Sequence, residues 1–303
     1  MIVCACALVC GAANAQTPGA QIIPAPKQLT LGEGSFSIRD ARVTLGDNKS
    51  AEDQFAAQDF IEDVNATAGG SLSLSRGQSR RDILIGRIDL LPIAQALKRA
   101  GAEPPATLNE EGYMIVANAD HVIVAGNTNA GTFYGLQTLK QLVRGDGANA
   151  LVPALKIVDW PTMRWRAVSD DISRGPVPTL DYIKRQIRTE AFFKMNMHSF
   201  YMEHTFSSQS HPLIGPEGGS LTPAEIKELV AYARKYHIEL VPEQQTFGHL
   251  HKALRLEKYA GLGETPYGDV LSPQQQASYK LIEDWYKELN ELFPGQFFSH
   301  RRG

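Results

Sequence analysis

Beyond residue 10 the sequence contains no cysteine, because Cys4, Cys6 and Cys10 are all three that it has. That excludes a disulfide framework, a thiolate metal site and a cysteine nucleophile from the rest of the chain. An excess of one charge is missing as well. The 30 Lys and Arg stand against 33 Asp and Glu, a formal charge of −3 with both signs interspersed, so no basic surface for phosphates and no nucleic-acid partner is expected. The apolar run "IVCACALVCGAANA" is shorter than the roughly 20 residues of a membrane-spanning helix. It ends in Ala13-Asn14-Ala15, the small-x-small pattern of a cleavage site. Residues 1–15 therefore read as a signal peptide, with export to the periplasm or beyond and no membrane contact beyond that signal. Finally, no phosphate-binding glycine fingerprint follows the first strand of the alternating region described below, which disfavours a dinucleotide fold.

What is present is the composition of an ordinary globular protein. With 303 residues, 43% apolar and 21% charged, the chain has room for two domains that each bury a core. Residues 16–157 read as a small mixed α/β domain. "AEDQFAAQDFIEDVNATAGG" puts Ala56, Phe60 and Val64, with Ala57 and Ile61, on one helical face and ends on glycines. "RDILIGR" is a buried strand, and "EGYMIVANADHVIVAG" two strands joined at Asn118-Ala119-Asp120. "AGTFYGLQTLKQLV" is a helix with Phe133, Leu136, Leu139 and Leu142 inward.

After Pro161 the rhythm changes to strand, loop, helix, repeated over residues 158–303. "RWRAVSD", "NMHSFYME" and "IELVPEQQ" are three strands, and "QFF" at 296–298 begins a fourth. Thr179 caps a helix with a stripe of Leu180, Ile183, Ile187 and Ala191. Thr222-Pro223-Ala224-Glu225 is a capping box with proline at the first helical position, and Ser272-Pro273-Gln274-Gln275 repeats that logic ahead of Ile282, Trp285, Tyr286 and Leu289. Alternating units of this length predict a parallel sheet, with an incomplete TIM-type (β/α)8 barrel preferred over an open doubly wound sheet.

Chemistry in a barrel sits at the C-terminal ends of the strands. That places Asp170, Asp171 and Arg174 after the first strand, Glu203 and His204 after the second, and Glu243 through His249 after the third. Such a polar ring suits a neutral polyhydroxylated ligand, whose hydroxyls need donors and acceptors in fixed directions. The same residues also read as strand-end caps and ion pairs. A third reading takes His249-x-His251 with Glu203, His204 and Glu243 as ligands of a metal-dependent barrel hydrolase. In that class the His-x-His pair usually follows the first strand, and here it follows the third.

Five segments carry a resemblance: "EGYMIVANADHVIVAGNTNAGTFYGLQTLKQLV", "IVDWPTMRWRAVSDDISR", "KMN", "LTPAEIKELVAYARKYHIELVPEQQTFGH" and "ELFPGQFF". In this order they resemble the N-terminal domain and first half of the barrel of glycoside hydrolase family 20, the β-N-acetylhexosaminidases. The Gly-x-x-Tyr-Gly-x-Gln-Thr-Leu helix also occurs in family 84, the O-GlcNAc hydrolases. The Asp-x-Ser-Arg and Pro-Glu-x-x-x-x-Gly-His elements favour family 20. Two segments depart from its pattern: Ala167 replaces the usual Gly, and "HSFYMEHTF" replaces the usual His-Leu-x-Asp-Asp.

The resemblance implies hydrolysis of terminal N-acetylhexosamine from glycans or oligosaccharides, with no cofactor and no metal. The substrate's own acetamido group acts as nucleophile. It implies that Arg174 binds hydroxyls of the terminal sugar, that Asp171 braces that arginine, and that His249 lines the pocket, oriented by Glu243. Glu203 is the candidate substitute for the contacts of the altered second loop. The family's catalytic Asp and Glu lie side by side in a His-x-Gly-Gly-Asp-Glu motif at the end of the fourth strand, where this sequence reads Ser-His-Arg-Arg-Gly after Phe298. Written as CAC ATC GGC GGG GAT GAA, that motif with one extra T in front reads TCA CAT CGG CGG GGA TGA, or Ser-His-Arg-Arg-Gly-stop. Ser299 to Gly303 is thus expected to be an out-of-frame reading of the catalytic motif, a C-terminal truncation that leaves the chain inactive and poorly soluble. A non-catalytic sugar-binding remnant is the alternative.

Overall fold

The computed structural model describes residues 21–39, 41–75 and 81–301; the expected signal peptide at 1–15 lies outside these residues. In chain order the first sheet and its helices are β1 (Gln28–Ser37), β2 (Arg42–Leu45), α1 (Ala51–Ala68), β3 (Ser73–Leu74), β4 (Asp82–Arg87), α2 (Leu91–Arg99), β5 (Tyr113–Ala117), β6 (His121–Gly126), α3 (Asn129–Leu142) and β7 (Leu151–Asp159). The strands form one mixed sheet in the order β1-β7-β5-β6-β4-β2-β3. Strand periodicity decides what each face buries. Along β5, Tyr113, Ile115 and Ala117 pack into the core under α1 and α3, whereas Met114 and Val116 join Ile93, Ala96 and Leu97 of α2 on the other face.

The helix termini follow the expected chemistry. Ser50 accepts from Asp53 N at 3.1 Å to start α1, and Gly69 ends it at φ 59°, a left-handed conformation that costs glycine little. Gly126 is required for a different reason: a Cβ there would lie 2.0 Å from Thr132 N, so α3 approaches β6 closely only because no side chain intervenes. The sheet runs two residues past the boundary expected at 157. Val158 pairs with Gln28 and Met114, and Asp159 pairs with Tyr113.

The second sheet contains β8 (Ala167–Asp171), β9 (Met197–Met202), β10 (Glu239–Gln245) and β11 (Ser299–Arg301), joined through α4 (Leu180–Phe192), α5 (Pro223–Lys235), α6 (His251–Leu254), α7 (Glu257–Ala260) and α8 (Gln276–Leu292). Its order is β11-β10-β9-β8 and all pairs are parallel. These are four strands of the predicted barrel. Two expectations are corrected. The fourth strand begins at Ser299 and not at Gln296, because Glu239 Oε1 accepts from Gln296 N at 2.6 Å and holds that segment in a turn. Ser272 does not cap α8. The chain turns there, with Gln275 N donating to Ser272 O, and Gln275 occupies the cap without a side-chain bond. Thr222 and Glu225 do form the reciprocal capping box on α5.

One continuous core joins the two sheets. Ile183, Ile187, Leu229 and Ala233 of α4 and α5 are in it with Phe60, Phe133 and Leu136 of α1 and α3. At the seam Tyr236 meets Phe55 edge-on, with ring centres 5.0 Å apart, and Phe133 at 6.2 Å. No described helix is long and apolar enough to cross a membrane.

Candidate functional site

Three strand ends build the cluster. β8 ends on Asp171, β9 ends one residue before Glu203, and β10 ends on Gln245. Asp171 and Glu243 both lie opposite Tyr201 in the ladder, so these side chains start from one level near the C-terminal rim. Arg174 is the hub. Its Nη1 donates to Glu203 Oε1 and, at 2.8 Å, to Ser173 Oγ. Its Nε lies 4.0 Å from Asp171 Oδ2, and the guanidinium carbon is 5.6 Å from the centre of the Tyr201 ring, within cation–π range.

The two partners differ in environment. The Glu203 side chain is 2% exposed and that of Arg174 50%, so a buried carboxylate pins a guanidinium that still reaches solvent. The hydrogen bond that it donates to Glu203 is the main reason that the Arg174 pKa rises above its ordinary value, against the opposing effect of burial. Glu203 Oε1 also accepts from Tyr201 Oη at 3.1 Å, and Gln245 Nε2 donates to Tyr201 Oη at 2.8 Å. Burial first and the neighbouring Glu203 charge second push the Tyr201 phenol upward.

Asp171 acts on the loop. Its Oδ1 accepts from Ser173 N at 2.9 Å and Ser173 Oγ at 2.6 Å, the turn that carries the chain to Arg174. Asp170 takes no part, since its Oδ2 accepts from Gln186 Nε2 at 3.0 Å. Glu203, expected only as a substitute contact, is the principal partner of the arginine.

One expectation fails, and one rival reading finds no support. Glu243 does not orient His249: its Oε2 accepts from Ser199 Oγ at 3.0 Å and Ser169 Oγ at 3.2 Å, tying together β8, β9 and β10 inside the sheet. His249 is exposed, with φ 58°, whereas Glu243 is 4% exposed within the sheet. The metal reading also lacks its geometry. Among the described residues no three His, Cys, Asp or Glu side chains come together as ligands, and the two histidines flank Leu250 at a turn into α6. His204 is instead held below its ordinary pKa, by burial first and the Lys252 charge second, so it sits neutral beside the cluster.

Tyr201 was not singled out in the sequence and Gln245 only as part of the stretch Glu243 through His249, yet both had a signal of their own. Tyr201 is two residues before Glu203 and Gln245 two after Glu243, and in a strand such pairs share a face. A separate cavity of about 600 Å³ opens between Thr246 and Phe247 after β10 and Tyr279, Ile282 and Tyr286 of α8.

Two family models match the chain in succession: "Glycosyl hydrolase family 20, domain 2" over residues 19–160 and "Glycosyl hydrolase family 20, catalytic domain" over residues 163–301. The chain belongs to glycosyl hydrolase family 20. The second model ends at the last residue of β11, and the first spans the whole mixed sheet. A family 20 relative from Porphyromonas gingivalis named beta-hexosaminidase is 28% identical, over 92% of this chain and 38% of its own length. The human beta-hexosaminidase subunit beta is 26% identical over 64% of this chain and 37% of its own. Among solved structures, the N-acetyl-beta-hexosaminidase of Streptomyces plicatus superposes with a TM-score of 0.76 at 25% identity, over 93% of this chain and 59% of that one. The Flavobacterium johnsoniae chitobiase superposes with a TM-score of 0.73 at 22% identity, which speaks to the fold. This chain thus spans well under two thirds of the curated relatives that it matches.

Proposed function

We propose that the chain is the N-terminal domain and first four barrel strands of an exo-acting β-N-acetylhexosaminidase, and that Arg174, held by Glu203 and Asp171, grips hydroxyls of a terminal N-acetylhexosamine. The carrying observation is the arginine itself: half-exposed at the C-terminal rim of a parallel sheet, with a buried carboxylate behind it. A guanidinium offers planar, paired donors that match vicinal hydroxyls. Removal of the sugar would follow the family's substrate-assisted route, in which the acetamido group attacks the anomeric carbon and a protonated carboxyl releases the leaving oxygen. Ser299 to Gly303 do not spell the Asp-Glu pair for those two steps, and Arg174, Glu203 and Asp171 are read as binding residues. The Streptomyces plicatus relative has been solved with thio-NAglucal, and mutants of it with the product GlcNAc, which supports the sugar class. Export belongs to the same reading, supported by the small-x-small end of residues 1–15.

The test has two parts. The source DNA is read across the codons for Phe297 to Gly303 and onward, and the protein from any frame that stays open is assayed on a nitrophenyl N-acetyl-β-glucosaminide. A frame that spells His-Ile-Gly-Gly-Asp-Glu and yields turnover, while residues 16–303 yield none, is the expected result. Turnover by residues 16–303 as written, or no such frame, contradicts it, and the latter with retained N-acetylglucosamine binding favours the sugar-binding remnant.

A further inference from the structure

The hydrogen bonds behind Arg174 run in one direction only. A glutamine Nε2 can donate and cannot accept, so the 2.8 Å contact from Gln245 makes the Tyr201 hydroxyl an acceptor. A phenol has a single proton, which then goes along the 3.1 Å contact to Glu203 Oε1. Glu203 receives that proton on the same oxygen that accepts from Arg174 Nη1. With the Gln245 amide so placed, donor chemistry gives the order Gln245 to Tyr201 to Glu203, met from the other side by Arg174, which also donates to the Tyr201 oxygen. It also joins all three strand ends. Arg174 follows β8, Tyr201 and Glu203 belong to the end of β9, and Gln245 ends β10.

The chain of contacts is also buried. Gln245 is 1% exposed and Tyr201 6%. Gln244 Nε2 donates to the Glu203 carbonyl at 3.1 Å, which fixes the backbone from which the carboxylate hangs. A carboxylate held this way has one rotamer in which to meet the arginine, and a flexible, half-exposed guanidinium is pre-organised at little entropic cost on binding.

We propose that Tyr201 and Gln245 are positioning residues: their one-way hydrogen bonds pin Glu203, and through it the guanidinium of Arg174, in the orientation that meets the ligand. The role of the arginine in binding sugar rests on the reading above; its pinning does not. The substitutions that test it are Tyr201→Phe, which keeps the ring under the guanidinium, Gln245→Met, which keeps the volume, and Glu203→Gln.

The experiment is the rate at which phenylglyoxal modifies Arg174 in the whole chain, read by mass spectrometry and divided by the rate at Arg99, an exposed arginine on α2. A guanidinium that donates to a fixed carboxylate is slow to react. Glu203→Gln is expected to raise the ratio by about tenfold, the factor carried by one charge-assisted hydrogen bond. Tyr201→Phe and Gln245→Met raise it less, in that order. If Tyr201→Phe leaves the ratio unchanged while Glu203→Gln raises it, packing alone positions the arginine and the proposal is overturned. An unchanged ratio in all three overturns it too. Circular dichroism separates unfolded variants, and Gln245→Met keeps the test alive if Tyr201→Phe fails to fold. Repeating the measurement with N-acetylglucosamine distinguishes the two readings. Slowing of Arg174 by the sugar supports the binding function, whereas no slowing with the variant effects intact sinks that function and leaves the pinning standing.

Discussion

The two sheets bury different things. β5 and β6 of the first sheet are apolar on both faces, and every side chain from Tyr113 to Ala117 and from Val122 to Ala125 is buried. β9 and β10 of the second are buried as well, yet carry His198, Ser199, Glu243, Gln244 and Gln245 into the interior. A buried polar group costs stability unless it is hydrogen-bonded, so each of these side chains demands a partner. His198 Nδ1 lies 2.9 Å from Glu190 Oε1, and Glu243 takes two serine hydroxyls. The first sheet is a scaffold stabilised by area; the second gives up apolar area to place directed groups at one rim. Polar side chains deep in a strand thus mark the sheet that carries the polar rim.

The largest effect that sharpens this contrast is expected in the scaffold. Phe60→Ala removes a fully buried ring from α1 and should cost about 3–5 kcal/mol in urea unfolding, with the Arg174 labelling ratio unchanged in the folded fraction. In the second sheet, Glu190→Ala leaves the buried His198 ring without its partner and should cost roughly 1–3 kcal/mol by the same measurement. Thr222→Ala breaks the capping box of α5 and should cost about 1 kcal/mol.

The smallest effect is a pH dependence at the seam. His237 packs against Phe133 with ring centres 5.0 Å apart, and burial lowers its pKa below 6.5, with Glu52 opposing. Below the ordinary value of about 6.5 the unfolded chain takes up that proton first, so stability falls as pH drops from there through the folded pKa. Above it the group contributes no pH dependence. His237→Asn, tolerated at φ 56°, should flatten the loss between urea midpoints at pH 7.5 and 5.5. An equal loss in the variant would place the acid sensitivity elsewhere.

Much of this architecture was legible in the sequence, for local reasons. The faces of α1 and α3, the hairpin at Asn118-Ala119-Asp120 and the box at Thr222 depend on periodicity and capping, which neighbouring residues determine. Ser272 misled because the same Ser-Pro pattern also suits a turn, and in the turn that is built Ser272 N donates to Leu262 O. At the site, Arg174 and Asp171 were found through their motif and Glu203 through its place after a strand. The error over Glu243 and His249 is tertiary. Which hydroxyl reaches a carboxylate depends on strand register, and Ser169 and Ser199 meet Glu243 only because β8 and β10 flank β9.

The central claim is that Arg174 at the rim of the second sheet binds a terminal N-acetylhexosamine. Its most direct test is to titrate N-acetylglucosamine into the isotope-labelled chain while following the Arg174 side-chain amide signals by NMR. A saturable shift at Arg174 and at the neighbouring Ser173 backbone amide, the latter lost in Arg174→Lys because an ammonium lacks the paired donors, is the result expected. Signals that stay in place at saturating sugar, or a Ser173 shift of equal size in Arg174→Lys, would contradict the account.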